Sequence, residues 1–262
     1  MPQVTECLTE ASLTTADGTE LSYALHRPST PTATPKLAII AHPWGRLGGS
    51  KNDHMVRSLA RTLAQEEGYT VVRFDSRGAG DSGGTPSWTA ATEVDDFRTV
   101  RDSVLLPLLS THSSPVRDES PVTVKLLLCG YSFGSLLATA CPPPAPTAHF
   151  SFETRYLVVS YPLSVMFALT AFHSALFTRA LQDRVVEEGT SVCTVYGDGD
   201  QFSGVGELRR WSAGLDKLAS DRGQEGKVAV IEVEGADHFW AHTSTKSEAL
   251  DRIRRWLHET GG

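Results

Sequence analysis

The chain holds one asparagine and only four cysteines among its 262 residues, and each scarcity removes a class of protein. Asn52 is followed by Asp53 and His54, so no glycosylation sequon exists. Cys7, Cys129, Cys141 and Cys193 are scattered with no CxxC pair, which argues against a disulfide framework or a zinc site. Cys129 and Cys193 fall in apolar runs of strand length, where a thiol behaves as a small hydrophobe. HExxH and clustered Cys/His are missing too, and Asp198-Gly-Asp200-Gln-Phe202 starts like a calcium loop but puts Phe202 where an oxygen ligand belongs. No metal is expected. Positive charge is also short: 24 Lys and Arg against 31 Asp and Glu give a net charge of −7. A general nucleic-acid binder needs a basic face to displace counterions from phosphates, so that class is not expected. The opening MPQVTECLTE has neither the basic start nor the apolar core of a secretory leader. The most apolar stretch, 156–181, is interrupted by Pro162, His173 and Arg179, and reads as a strand plus an amphipathic helix rather than a membrane span. These readings together point to a reduced, cytoplasmic protein without a membrane partner, with a homodimer left open.

Internal repeats are absent, and the length suits one α/β domain over 1–262. Residues 9–26 read as a hairpin of two alternating segments joined by Asp17-Gly18. Strands then alternate with helices, the signature of a parallel sheet. Apolar runs at 37–41, 70–74, 122–129, 156–160, 191–196 and 228–233 predict strands, and helical periodicity marks 51–67, 90–106, 133–140 and 247–258. Continuous apolar strands imply a sheet covered on both faces. The expected fold class is therefore α/β: one doubly wound, mostly parallel eight-stranded sheet with an N-terminal antiparallel hairpin. Residues 162–190 are one helix long, enough for a minimal cap at most.

The chemistry concentrates at Gly130-Tyr131-Ser132-Phe133-Gly134, between the strand at 122–129 and the helix at 133–140. A serine on a tight strand-to-helix turn is exposed at the carboxyl end of the sheet, and glycines two residues either side avoid clashes with neighbouring backbone. The helix N-terminus behind it favours developing negative charge. A hydroxyl is a poor nucleophile and needs a base. His238, in Gly235-Ala-Asp-His238-Phe, follows the final predicted strand, where a loop can carry its imidazole back over the sheet. His42 reads as structural, and His26, His54, His112, His149, His173, His242 and His258 as surface or packing. The strand at 191–196 runs into Gly197-Asp198-Gly199-Asp200, offering two carboxylates. Asp200 lies far enough beyond the strand end to turn toward His238, whereas Asp198 is expected to cap the turn through its own backbone. The oxyanion hole needs two backbone N–H groups. Phe133 offers one. In the loop after 37–41 Pro43 cannot donate, which leaves Trp44.

These pieces resemble the α/β-hydrolase superfamily, and within it the small serine hydrolases with a His-Pro-x-x-x-x-Gly-Gly loop. The matching stretches are HPWGRLGG at 42–49, RFDSRGAGDSGG at 73–84, GYSFGS at 130–135, YGDGDQF at 196–202 and GADHF at 235–239. The resemblance implies Ser132, Asp200 and His238 as a catalytic triad, with Trp44 and Phe133 as oxyanion donors and no cofactor. The implied activity is hydrolysis of a carboxylic ester or thioester in a small to medium-sized molecule. Tyr131, Phe202, Trp240 and the helix at 165–181 are expected to line the substrate pocket, and the bulk of Trp44 is expected to narrow it.

Two alternatives stay open at this level. The same fold and triad can serve a lyase, a cyclase or an acyl transferase. Gly78-Ala-Gly80-Asp-Ser-Gly83 also matches the dinucleotide fingerprint GxGxxG, but Gly84-Thr-Pro-Ser follows where a helix should open directly.

Overall fold

The computed structural model describes residues 7–30, 32–112 and 120–259. The reading of residues 1–6, and the side-chain roles given to Cys7 and His112, lie outside the described residues. Eight strands form one sheet: β1 (Cys7–Thr14), β2 (Glu20–Arg27), β3 (Lys36–Ala41), β4 (Thr70–Phe74), β5 (Val122–Tyr131), β6 (Phe150–Val159), β7 (Thr190–Gly199) and β8 (Val228–Asp237). Their order across the sheet is β1-β2-β4-β3-β5-β6-β7-β8. The β1–β2 and β2–β4 pairs are antiparallel and all later pairs parallel. The N-terminal hairpin turns at Gly18, whose φ of 85° suits a residue without Cβ.

Alternation along the central strands divides the core in two. In β3, Leu37, Ile39 and Ala41 face one layer, while Ala38 and Ile40 face the other. The first layer receives α2 (Ala91–Val100), α3 (Phe133–Ala140), α5 (Ser174–Val186) and α6 (Val205–Ser220). The second receives α1 (His54–Gln65) and α7 (Thr243–Glu259). A four-residue helix, α4 (Met166–Leu169), precedes α5. Among the described residues no helix is long and apolar enough to cross a membrane.

Three local readings need correction, and one alternative falls. The helix read at 90–106 is regular only from Ala91 to Val100, after which a π turn (Arg101–Leu105) and a 3-10 segment (Leu106–His112) follow. Residues 162–190 hold two helices, because Ala171 and Phe172 adopt positive φ of 44° and 67° and break the chain between α4 and α5. The helix α6 has no counterpart in the sequence reading. Finally, Gly78 to Gly83 form a turn whose next helix starts only at Ala91, so the dinucleotide geometry is absent from that segment.

The strand order has one consequence for function. Chain connections from β3 run toward β4 and those from β5 run toward β6, so the segments leaving the adjacent ends of β3 and β5 diverge. A crevice opens at such a switch point, beyond the carboxyl ends of the strands.

Candidate active site

Both sides of the crevice carry residues singled out from sequence. Ser132 leaves β5 with φ 53° and ψ −119°, a conformation unusual for a residue with a side chain. The turn around it is crowded by backbone. A Cβ on Gly130 would lie 2.1 Å from the carbonyl oxygen of Gly134, and one on Gly134 would lie 2.4 Å from that of Ala41. The Ser132 N–H donates to the Val159 carbonyl at 2.8 Å, and Ser135 Oγ donates to the Ser132 carbonyl at 2.5 Å. The strain is held from both sides, and the hydroxyl is left facing the crevice.

His238 follows directly on β8, and Asp200 directly on β7. Nε2 of His238 lies 2.9 Å from Ser132 Oγ, and Nδ1 lies 2.7 Å from Asp200 Oδ2. A carboxylate only accepts, so Nδ1 carries the proton and Nε2 presents a lone pair to the hydroxyl. The imidazole is fixed on every side. Its backbone N–H donates to Gln201 Oε1 and its carbonyl accepts from Tyr131 Oη, while Phe202 and Phe239 meet the ring edge-on at 4.6 and 5.6 Å. Asp200 Oδ1 accepts from the N–H groups of Phe202 and Ser203 at 2.8 and 3.0 Å. All three side chains are buried: Ser132 and Asp200 are 8% exposed, His238 3%.

Asp198 does not cap its own turn, as the sequence suggested. Its Oδ1 accepts from the Gly235 N–H across the sheet at 2.7 Å, tying the β7 exit to the β8 exit. The two carboxylates thus hold different loops, and only Asp200 reaches the imidazole.

The loop after β3 is clamped at both ends. At its start, His42 Nε2 accepts from the Ser76 N–H at 2.9 Å, which places the ring proton on Nδ1, where it donates to the Pro43 carbonyl at 2.5 Å. Burial pushes this histidine below its ordinary range, against the opposing pull of that carbonyl and of Asp75. Because a trans peptide sets C=O and N–H in opposite directions, fixing the Pro43 carbonyl also fixes the Trp44 N–H. Among the described residues that N–H has no acceptor. The Phe133 N–H, first in α3, likewise lacks an intrahelical partner. At the far end, the fully buried Lys51 donates from Nζ to Asp75 Oδ2 at 2.8 Å and to Asp81 Oδ2 at 2.5 Å. Gly80 belongs to this clamp: a Cβ there would collide with the Asp75 carboxylate at 2.2 Å.

Above Ser132 and His238 lies a cavity of about 280 Å³ with a mainly apolar wall. Trp44 and Leu47 come from the β3 loop, Val165, Ala168 and Leu169 from the segment around α4, and Phe202 and Phe239 from the loops after β7 and β8. Tyr131 and Phe202 line it as expected, but Trp240 does not. Its backbone takes φ 54°, which turns the indole away into the α1/α7 layer, fully buried, with Nε1 donating to Ser160 Oγ at 3.1 Å. Phe239, exposed at the cavity mouth, holds the place expected of Trp240. Val165, Ala168 and Leu169 come from the segment expected to line the pocket, whereas the sequence reading missed Asp53; its polar side chain next to a glycine-rich loop was the one signal available. Among the described residues no group of three or more His, Cys, Asp or Glu could hold a metal ion.

Residues 17–102 match the family model described as X-Pro dipeptidyl-peptidase (S15 family). No curated protein sequence matches the chain. Solved structures do. An α/β serine hydrolase homologue from Coxiella burnetii is 21% identical, with a TM-score of 0.63 and 97% of each chain covered. A lidless α/β serine hydrolase from Xanthomonas campestris is 22% identical, with a TM-score of 0.64 over 95% of this chain and 94% of that one. Est1E from Butyrivibrio proteoclasticus, solved with ferulic acid bound, is 15% identical, with a TM-score of 0.66 over 95% of this chain and 98% of that one.

Proposed function

We propose that this chain, whose fold is that of the α/β-hydrolases, is a serine hydrolase that cleaves carboxylic esters or thioesters of small to medium-sized molecules. The observation that carries the reading is the hydrogen-bonded line from Ser132 Oγ through His238 to Asp200 at the floor of an apolar cavity.

The chemistry follows from the tautomer. Ser132 Oγ attacks the carbonyl carbon while its proton passes to Nε2 of His238. Asp200 holds the ring in place and stabilises the imidazolium that forms. The N–H groups of Phe133 and Trp44 take the developing oxyanion, and the Pro43 carbonyl, fixed by His42, keeps the second donor aimed. Collapse expels the alcohol or thiol with the proton from Nε2 and leaves an acyl group on Ser132. Water, deprotonated by the same nitrogen, then releases the acid and restores the serine. Residues 162–190, with Val165, Ala168 and Leu169 in the cavity wall, act as a minimal cap.

A fluorophosphonate probe tests this directly. Ser132 is expected to be labelled, and Ser132→Ala to lose both labelling and turnover of an activated ester by several powers of ten with an unchanged circular-dichroism spectrum. Activity within about tenfold of the parent protein would remove the assignment, since triad losses are far larger.

A second reading, amide cleavage in a peptide, is favoured by the match at 17–102. That stretch carries the β3 loop and its clamp but none of Ser132, Asp200 or His238. Chromogenic X-Pro amides assayed beside the esters separate the two readings.

A further inference from the structure

The cavity wall contains one carboxylate that the proposed reaction does not use. Asp53 is the N-cap of α1: its Oδ1 accepts from the N–H groups of Met55 and Val56 at 2.8 and 3.3 Å. Among the described residues, Oδ2 has no hydrogen-bond or ion-pair partner. The same residue lines the cavity together with Gly48 and Gly49, and the lining holds no Lys or Arg. The remaining lining includes Trp44, Tyr131, Phe202 and Phe239, so aromatic rings and a carboxylate oxygen without a partner among the described residues share one cavity. Burial first, and then the Asp53 charge, push the Tyr131 hydroxyl above its ordinary range, and Tyr131 is the residue before the nucleophile.

Capping and the helix dipole both favour a carboxylate here, but neither requires one. Serine, threonine or asparagine caps a helix about as well as aspartate without placing a charge in an apolar cavity. A carboxylate beside aromatic faces is the pairing that attracts a cation, by direct charge and by the negative faces of the rings. Resting on the hydrolase reading above, we propose that Asp53 sets the substrate class: esters or thioesters carrying an ammonium group, with the cation held between the Asp53 Oδ2 and the aromatic wall while the carbonyl sits at Ser132.

Isosteric pairs with a fixed charge isolate the effect. One pair is choline propionate against 3,3-dimethylbutyl propionate, with the cation on the alcohol side. The other is the 4-nitrophenyl ester of 4-(trimethylammonio)butyrate against that of 5,5-dimethylhexanoate, with the cation on the acyl side. In each pair a quaternary nitrogen replaces a quaternary carbon, so shape is constant and protonation plays no part. The cationic member of at least one pair is expected to show a kcat/KM about tenfold higher, expressed mainly in KM, and the ratio is expected to shrink as salt screens the pair. Asp53→Asn keeps the cap and removes the charge, so it should bring that ratio close to one while the melting temperature stays within about 2 °C of the parent protein. Parity or a neutral preference in both pairs overturns the proposal, as does a ratio that survives Asp53→Asn. Should none of the four esters turn over and Ser132 resist the fluorophosphonate, the hydrolase reading falls and this inference goes with it; turnover without charge preference sinks the inference alone.

Discussion

Asp198 and Asp200 are two residues apart and chemically identical, so what separates them is only which loop each one ties. Asp200 holds the His238 ring and the two N–H groups beyond it, while Asp198 holds the Gly235 N–H. Asp200→Asn keeps an acceptor for Phe202 and Ser203 but presents an amide to Nδ1, so the wrong ring tautomer becomes available. A loss on the order of 10⁴ in kcat is expected, as in the serine protease template. Asp198→Asn retains an acceptor for Gly235 and should cost less than tenfold, about the worth of one weakened hydrogen bond. Steady-state kinetics of the two variants on one activated ester check the ranking. At this scale the sequence was legible wherever chemistry and backbone demand coincide. Ser132 lies between glycines that contact backbone closer than any Cβ allows, and His238 stands at a strand end. Trp240 was misplaced for a converse reason. Two residues past His238, the direction of its indole depends on a positive φ that no residue type announces.

Elements were legible in proportion to how strongly a single periodicity marks them. The strands of the sheet centre are apolar on both faces and stand out; their true ends run several residues further, as in β6 and β7, because the outer turns of a strand are half exposed and look polar. The helix α6 buries Leu208, Leu215 and Ala219 at helical spacing, a pattern that Gly206 and Gly214 dilute. The break between α4 and α5 comes from backbone at Ala171 and Phe172, residues with no turn chemistry of their own. The clamp on the β3 loop was invisible in sequence, since Lys51, Asp75 and Asp81 meet only once β4 and the loop are folded. Lys51 and Asp75 are both fully buried, so removing one partner strands a charge. Lys51→Ala is expected to destabilise the protein by about 3 kcal/mol, the cost of orphaning a buried ion, and denaturant titration measures it. Burial pulls the Lys51 ammonium down, but Asp75 and Asp81 together hold it above the usual lysine range. The stability it contributes is therefore present below the ordinary lysine pKa and is lost as pH rises through the folded-state value.

Over the whole molecule, acid stability has an identifiable contributor. His42 is neutral and doubly hydrogen-bonded in the folded state, where burial lowers its proton affinity, whereas the unfolded chain takes up that proton with a pKa of about 6.5. Below that value the unfolded state binds more protons than the folded one, so stability falls as the solution is acidified and levels off above it. Thermal melts at pH 7.5 and 5 should show the loss, and His42→Gln should flatten that part of the slope. A variant whose melting temperature drops by as much as the parent's between the two pH values would assign the acid sensitivity elsewhere. The fold as a whole was legible because a hairpin followed by alternating strands and helices leaves few sheet orders to choose from.

Ser132 follows directly on β5, in the middle of the sheet, while the cavity above it is walled largely by segments leaving β3, β6, β7 and β8. In the proposed reaction the β3, β7 and β8 segments serve bond breaking and selection together, through Trp44, Asp200 and His238, whereas the stretch after β6 serves selection alone. Among the described residues the stretch around α4 makes no hydrogen bond to the Ser132–His238–Asp200 line, so a longer or differently shaped insert there would leave those bonds in place. Such a molecule is open to re-tailoring: its repertoire can drift, by lineage or by design, through replacement of the stretch between β6 and α5, with the proposed reacting centre left intact.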